Sequence, residues 1–327
     1  VKEEMERLVQ LTLEKMLLTP DICNTKEAEA AGIPGPNLQM FPTLFHLTAA
    51  LQRTGWPFAI LFRSFGSDHD KIQQEWNAFC EMKHPVFSKL IEDLGPMDGS
   101  VPGIPDRRLH RMHTLYRDAE GPVLILDSIT NGPEHTTWDS WAKEKPRPET
   151  DTRKGREFVK HELKAEIVDG FAGIQRFMEQ HLREEGTAAI KDDWAWWTYN
   201  GQTAAAGKLL TLIGGDTPTQ QLFFDDNIED DDARIVDCRG IDGASIPATI
   251  AVPQICQKVN PVEAALDNNY FLRKILARRS HMPQMKGTLK YLGRASRRTS
   301  WCQTPKSSTR RLGFKRRSVR SELEHEK

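Results

Sequence analysis

The chain contains no run of about 18 apolar residues, so no transmembrane helix is expected. Its opening, "VKEEMERLVQLTLEKMLL", has no uninterrupted apolar core and no small-residue cleavage site, which argues against a signal peptide. The first residue is Val, which leaves room for residues upstream. Cysteine is sparse: Cys23, Cys80, Cys238, Cys256 and Cys302 are scattered, and no two form a C-x-x-C pair. That favours reduced thiols in a cytoplasmic protein over a disulfide framework or a zinc site. Cys80 and Cys238 have no activating neighbour in sequence and read as inert thiols. No repeat of fixed period is present, which excludes solenoids and propellers.

Acidic residues are missing from one region. Between Arg278 and Arg320 there are 14 Lys and Arg and no Asp or Glu, whereas residues 1–277 hold 30 basic and 43 acidic side chains. The net charge of −1 therefore hides an acidic body and a basic tail. The tail is Ser/Thr-rich and lacks aliphatic periodicity, so residues 278–327 read as a disordered extension. As an electrostatic arm it suits nucleic acid, an anionic membrane surface or an acidic partner, and "RRLGFKRRSVR" resembles a nuclear-localisation cluster.

What is present alternates between two periods. Residues 1–18 carry apolar side chains at near-helical spacing, and Thr43–Arg53 forms a second helical stretch with Pro42 at its start and Gly55 past its end. Phe58–Phe62 is a short apolar run that predicts a buried strand, followed by a helix capped by Ser67 or Asp68. "LHRMHTLYRD", "GPVLILDSIT", "TAAIK", Leu222–Phe224 and "RIVDC" predict further strands. Phe158–Glu185, Ala204–Leu212 and Val262–Arg279 predict helices. Alternating strands and helices favour an α/β fold with a covered sheet. The Gly- and Pro-rich segment 95–160 reads as an insertion, and 137–155 as a polar loop within it.

The stretch "QLFFDDNIEDDDARIVDCRG" runs an apolar strand into two adjacent carboxylates, Asp225 and Asp226. Ligands of open α/β sheets gather beyond the carboxyl ends of the strands. Two like charges there are compensated by a cation, and hard oxygen ligands suit Mg²⁺ with its waters and a phosphate. The alternative is a plain turn, with Asp226 or Asn227 as the turn residue. "FAILFRSFG" ends a strand at Ser64, whose hydroxyl and following turn can hold a phosphate oxygen, or can serve the turn alone. "AAAGKLL" places Lys208 in a small-residue stretch 17 positions before Asp225, where it can neutralise phosphate and carboxylate, or sit as a solvated charge.

In this order the three segments resemble the haloacid dehalogenase-like hydrolase superfamily. "AILFRS" is similar to its second motif at Ser64, "GK" to its third at Lys208, and "LFFDD" to its fourth at Asp225 and Asp226. The resemblance spans roughly residues 40–95 and 165–277. It implies a doubly wound, mostly parallel Rossmann-like sheet, with residues 1–94 and 161–277 as the two parts of the core and 95–160 as a cap-like insertion. It implies a Mg²⁺-dependent phosphate-ester hydrolase acting on a phosphorylated substrate. In that reading Ser64 and Lys208 are catalytic and phosphate-binding, and Asp225 and Asp226 hold the metal. The family's first motif, an Asp-x-Asp strand end, is not found before Ser64 and is expected upstream of Val1. Asp68-His69-Asp70 follows the second motif and opens a helix, and Asp127 has Ile129 as its partner position. Without that motif the implied protein is a catalytically impaired relative. The reading from another class is a non-catalytic binding protein that uses the basic arm on nucleic acid or acidic partners.

Three other groups carry weaker signals. His110 and His113 are three apart on a strand-like segment, where they point to opposite faces, which disfavours a shared metal. Asp230, Asp231 and Asp232 read as a solvated loop or cap before they read as a metal site. Trp194, Trp196, Trp197 and Tyr199 could stack a base or sugar, but packing is the ordinary use of such residues.

Overall fold

The computed structural model describes residues 2–129, 159, 164–212 and 219–280. The expected polar loop 137–155 and residues 281–327 of the expected basic tail lie outside the described residues.

The fold is mixed α/β around a five-stranded, mostly parallel sheet. Its strands are β1 (Ile60–Ser64), β2 (Met112–Asp118), β3 (Gly121–Ile125), β4 (Ile167–Asp169) and β5 (Thr187–Lys191), in spatial order β1-β5-β2-β3-β4. β5 is parallel to both β1 and β2, while β3 runs antiparallel to β2 and β4, so four of the five strands point one way. Both faces are covered. Ile60, Phe62 and Ala189 face a cluster built with Phe45, Trp76 and Phe79 from the helices Pro42–Thr54 and His69–Cys80. Leu61, Ala188 and Ile190 face Ile174 and Met178 of the helix Gly170–Glu185. Alternate residues of each strand thus divide between two cores, as a pleated strand requires.

Two parallel ribbons complete the fold: β6 (Lys208–Thr211) with β8 (Val236–Arg239), and β7 (Phe223–Asp225) with β9 (Cys256–Lys258). They share one core, in which Trp197, Leu212, Phe223, Ile228, Val236 and Ile255 are buried. Three buried cations tie the ribbons together and to the sheet. Arg63 of β1 chelates Asp192 and donates to the Leu209 carbonyl at 2.8 Å. Arg117 of β2 donates to the Gly207 carbonyl at 2.9 Å and to Asp237 at 2.7 Å. Lys208 joins β6 to Asp225 of β7 at 2.7 Å.

Local chemistry accounts for several boundaries. Pro42 opens its helix at the first turn, where its missing N–H costs nothing. Gly55 closes it in the left-handed region at φ 66°, a conformation other residues reach at a cost. Elsewhere tertiary pairing overrides local preference. Ala204–Leu212 is not a helix: a single 3₁₀ turn, Ala204–Ala206, passes directly into β6, whose backbone pairs with β8. The helix expected from Phe158 starts only at Gly170, because Ile167–Asp169 pairs with β3 as a strand. The single last helix is two, Pro261–Leu266 and Tyr270–Ser280, broken at Asp267–Asn269. The segment 95–160 supplies β2 and β3 to the main sheet, with β2 lying between β5 and β3.

Candidate functional site

The end of β1, the start of β6 and the end of β7 approach one another. Lys208 is the first residue of β6 and is buried; its Nζ donates to Asp225 Oδ2 at 2.7 Å, and both side chains are more than nine-tenths buried. Asp225 is the last residue of β7, and its Oδ1 accepts from the Asn227 backbone N–H at 2.9 Å. Phe65, which follows Ser64, lays its ring 5.1 Å from Lys208 Nζ, a cation–π distance, and stacks on Trp197. From the other side of Ser64, Arg63 reaches the carbonyl of Leu209. The end of β1 therefore borders the start of β6 on both sides of the serine.

The glycine before the lysine has a steric reason. A Cβ at Gly207 would lie 2.3 Å from the Ile235 carbonyl oxygen, so only glycine lets β6 enter alongside β8. The same close approach seats Lys208 in register with Val236, with its N–H donating to Ile235 O at 2.7 Å.

Ser64 itself is turned to its own loop. Its Oγ donates to Asp68 Oδ1 at 2.7 Å and accepts from the Gly66 N–H at 3.0 Å, rather than bonding Lys208 or Asp225. Asp68 stands at the N-cap position of the helix His69–Cys80 but makes no capping bond with its side chain. Asp226 is exposed and bonds the Asn227 side chain at 3.1 Å. The structure thus brings Lys208 and Asp225 into contact, sets Arg63 and Phe65 but not the Ser64 hydroxyl against β6, and turns Asp226 to solvent.

A second pair of adjacent acids lies at the end of a strand of the main sheet. Asp192 and Asp193 follow β5, and the Asp192 N–H donates to the Ser64 carbonyl at 2.8 Å. Asp192 is gripped through both oxygens by Arg63. Asp193 caps the helix Trp194–Tyr199 by accepting from the Trp196 N–H at 3.0 Å, and also accepts from the Arg117 N–H at 3.3 Å. Burial pushes the Asp193 carboxyl up to about 6, against the pull of those two N–H groups. The signal for these residues was in the sequence: "AAIKDD" repeats the apolar-strand-then-twin-acid pattern of "LFFDD".

The weaker candidates resolve into ordinary structure. His113 is buried on β2, while His110 is exposed and bonds Asp106 at 3.1 Å, so the two do not share a partner. Asp232 accepts from the Arg234 N–H at 2.8 Å as a turn acceptor. Trp197 packs in the ribbon core and Trp194 is exposed. Cys80 is buried and its thiol is pushed well up by burial. Cys238, equally buried, has a neighbour the sequence did not reveal: Cys256.

Among the described residues, no three His, Cys, Asp or Glu side chains group as a metal centre. The donors at the rim are Asp226 and Asp225; Asp225 Oδ1 already accepts from the Asn227 N–H and side-chain amide, and its Oδ2, bonded to Lys208, keeps a second lone-pair direction. Two carboxylates fit a Mg²⁺ that retains most of its waters and shares a phosphate; they do not fit an all-protein cage. No helix among the described residues is long and apolar enough to cross a membrane. Compared with family models, with curated proteins and with solved structures, the chain matches none of them.

Proposed function

We propose that the rim of β1, β6 and β7 binds a phosphate ester in the manner of a haloacid dehalogenase-like hydrolase, in a relative whose turnover is impaired. The observation that carries this reading is the contact of Lys208 with Asp225, with Phe65, the residue after Ser64, laid against the lysine. Lys208 is paired with Asp225 with little solvent around either side chain, where an incoming phosphate oxygen gains more from an ammonium than in water. The Ser64–Gly66 turn offers a hydroxyl and an N–H for a second oxygen once Ser64 releases Asp68. Asp225 and Asp226 are the residues that would hold Mg²⁺, and when bound the ion would neutralise charge on the phosphate.

The impairment follows from the acids. Phosphoryl transfer through an aspartyl-phosphate needs a free carboxylate nucleophile in line with phosphorus. Asp192 is engaged by Arg63 on both oxygens, and Asp193 accepts two backbone N–H bonds. Neither carboxylate is held open for attack.

The test is p-nitrophenyl phosphate with and without Mg²⁺, followed by thermal shift and by release of p-nitrophenolate. Saturable stabilisation of the wild type that weakens in Ser64→Ala and in Lys208→Arg, with little or no turnover, is expected. Stabilisation equal in all three proteins, or none in the wild type, overturns the assignment of the site. Robust Mg²⁺-dependent turnover keeps the site and overturns the impairment.

A further inference from the structure

We infer that Cys238 and Cys256 form a reversible intramolecular disulfide that staples the β6/β8 ribbon to the β7/β9 ribbon. Their sulfur atoms are 3.6 Å apart, and both residues are buried. Cys238 lies on β8 opposite Leu210, two positions along from Lys208. Cys256 lies on β9 opposite Phe223, two positions along from Asp225. Strands β8 and β9 share no ladder, so a covalent bond here would join two elements otherwise held by packing and by the Lys208–Asp225 contact. A disulfide needs its sulfurs at about 2.05 Å, and small χ1 rotations on facing strands can cover most of the remaining gap.

The other described thiols have no such neighbour. Cys23 takes a bond from the Asn24 side chain at 3.2 Å, and Cys80 faces the Arg107 carbonyl at 3.5 Å. The pairing is therefore specific to the two ribbons, and it stands whether or not a phosphate ester binds nearby.

The oxidant is hydrogen peroxide. The Cys238 thiol loses its proton, and the thiolate sulfur attacks one peroxide oxygen. The O–O bond breaks, leaving Cys238 as a sulfenic acid and releasing water. The Cys256 thiolate then attacks that sulfur, the S–S bond forms, and hydroxide departs to become a second water. Two thiols and one peroxide give one disulfide and two waters. The hydrogen bond with Cys256, and then burial, push the Cys238 thiol up, so the first step is slow in the closed fold. The bond is a slow staple, formed as the ribbons breathe and undone by a dithiol reductant.

The full chain is treated with hydrogen peroxide, its remaining thiols are alkylated, and the unreduced protein is digested for mass spectrometry. The expected product is a 238–256 linked peptide pair, lighter by ~2 Da than the two thiol peptides and lost on dithiothreitol treatment. The oxidised protein melts several degrees above the reduced one, because the bond closes a loop in the unfolded chain. Cys238→Ser and Cys256→Ser each lose the linked pair and the shift in melting temperature; the second variant guards against misfolding of the first. If the more exposed Cys23 becomes oxidised while Cys238 and Cys256 remain alkylatable thiols on denaturation, the staple does not exist. Linked peptides spread indiscriminately over Cys23, Cys80 and Cys302 also overturn it.

Discussion

Lys208 Nζ sits 2.7 Å from Asp225 Oδ2 with almost no water around either group, so the two charges depend on each other. Removing either one strands the other. Asp225→Leu and Lys208→Met are each expected to cost ~3–5 kcal/mol in urea denaturation. The double variant Lys208→Met/Asp225→Leu is expected to recover much of that loss, because no unpaired charge remains. Additive losses in the double variant would show that the two charges do not depend on each other.

Gly207→Ala places a methyl group 2.3 Å from the Ile235 carbonyl oxygen, and the glycine's φ of −71° means that this clash alone is being tested. A loss of roughly 1–3 kcal/mol is expected, as for other overpacked sites. An unchanged urea midpoint would mean that β6 and β8 are not as close as described.

His113 is buried against His181 and Phe177, with Arg111 and Asp127 nearby. Burial, and then the neighbouring His181, hold its imidazole down at about 4. The folded state thus favours the neutral ring, and the stability it contributes is present above the ordinary histidine value of 6.5 and lost as pH falls toward 4. Between pH 7 and pH 5 this one group is expected to cost about 2 kcal/mol. His181 is lowered in the same direction, first by burial, and adds to the effect. His113→Leu is expected to flatten the slope of urea midpoint against pH; an unchanged slope would clear the residue of any part in acid sensitivity.

Asp193 acts with the opposite sign. Its carboxyl is raised to about 6, so ionising it above that pH opposes folding, and the fold gains from this group as pH falls through 6 toward the ordinary carboxylate range. Asp193→Asn keeps a good cap for the helix Trp194–Tyr199 and removes the buried charge. The variant is expected to be as stable as the wild type or more so at pH 8, with the gain fading below pH 6. A clear loss at pH 8 would assign the carboxylate a favourable partner that the geometry lacks.

Thiol reactivity separates the cysteines. Cys80 has its thiol pushed well up by burial, whereas Cys23 is half-buried on a surface turn. Alkylation of the native chain is expected to modify Cys23 long before Cys80, read by peptide mass. Comparable rates would mean that the helix His69–Cys80 opens far more readily than its packing implies.

Much of the element order was legible because short apolar runs bounded by Gly, Pro and acids have few alternatives. β1, β3, β5 and β7 fell where such runs lie, and Pro42 and Gly55 marked their helix. Asp225 lies at the strand end expected of it, whereas Lys208, expected on a helix, meets it from the first residue of a strand. What could not be read locally was pairing. "AAAGKLL" is rich in helix-favouring residues, and only its ladder with Val236–Arg239 makes it a strand. Gly and Pro around residues 95–107 suggested a segment set apart from the sheet, yet the strands after them lie within it. The hold of Arg63 on Asp192 spans 129 positions, and no local pattern announces such a partner.

The bonds from Arg63 to Leu209 and from Arg117 to Asp237 also set a timetable for synthesis. The strands holding those arginines, β1 and β2, are made long before their partners, 146 and 120 positions later, emerge from the ribosome. Until then Arg117 lacks the buried Asp237 partner that it has in the finished fold. Closure over such long stretches of chain is slow, because loop entropy is lost before the distant contacts form. A chain stalled before residue 237 should therefore remain sensitive to protease, and one released past the Pro261–Leu266 helix should become resistant in a single late step.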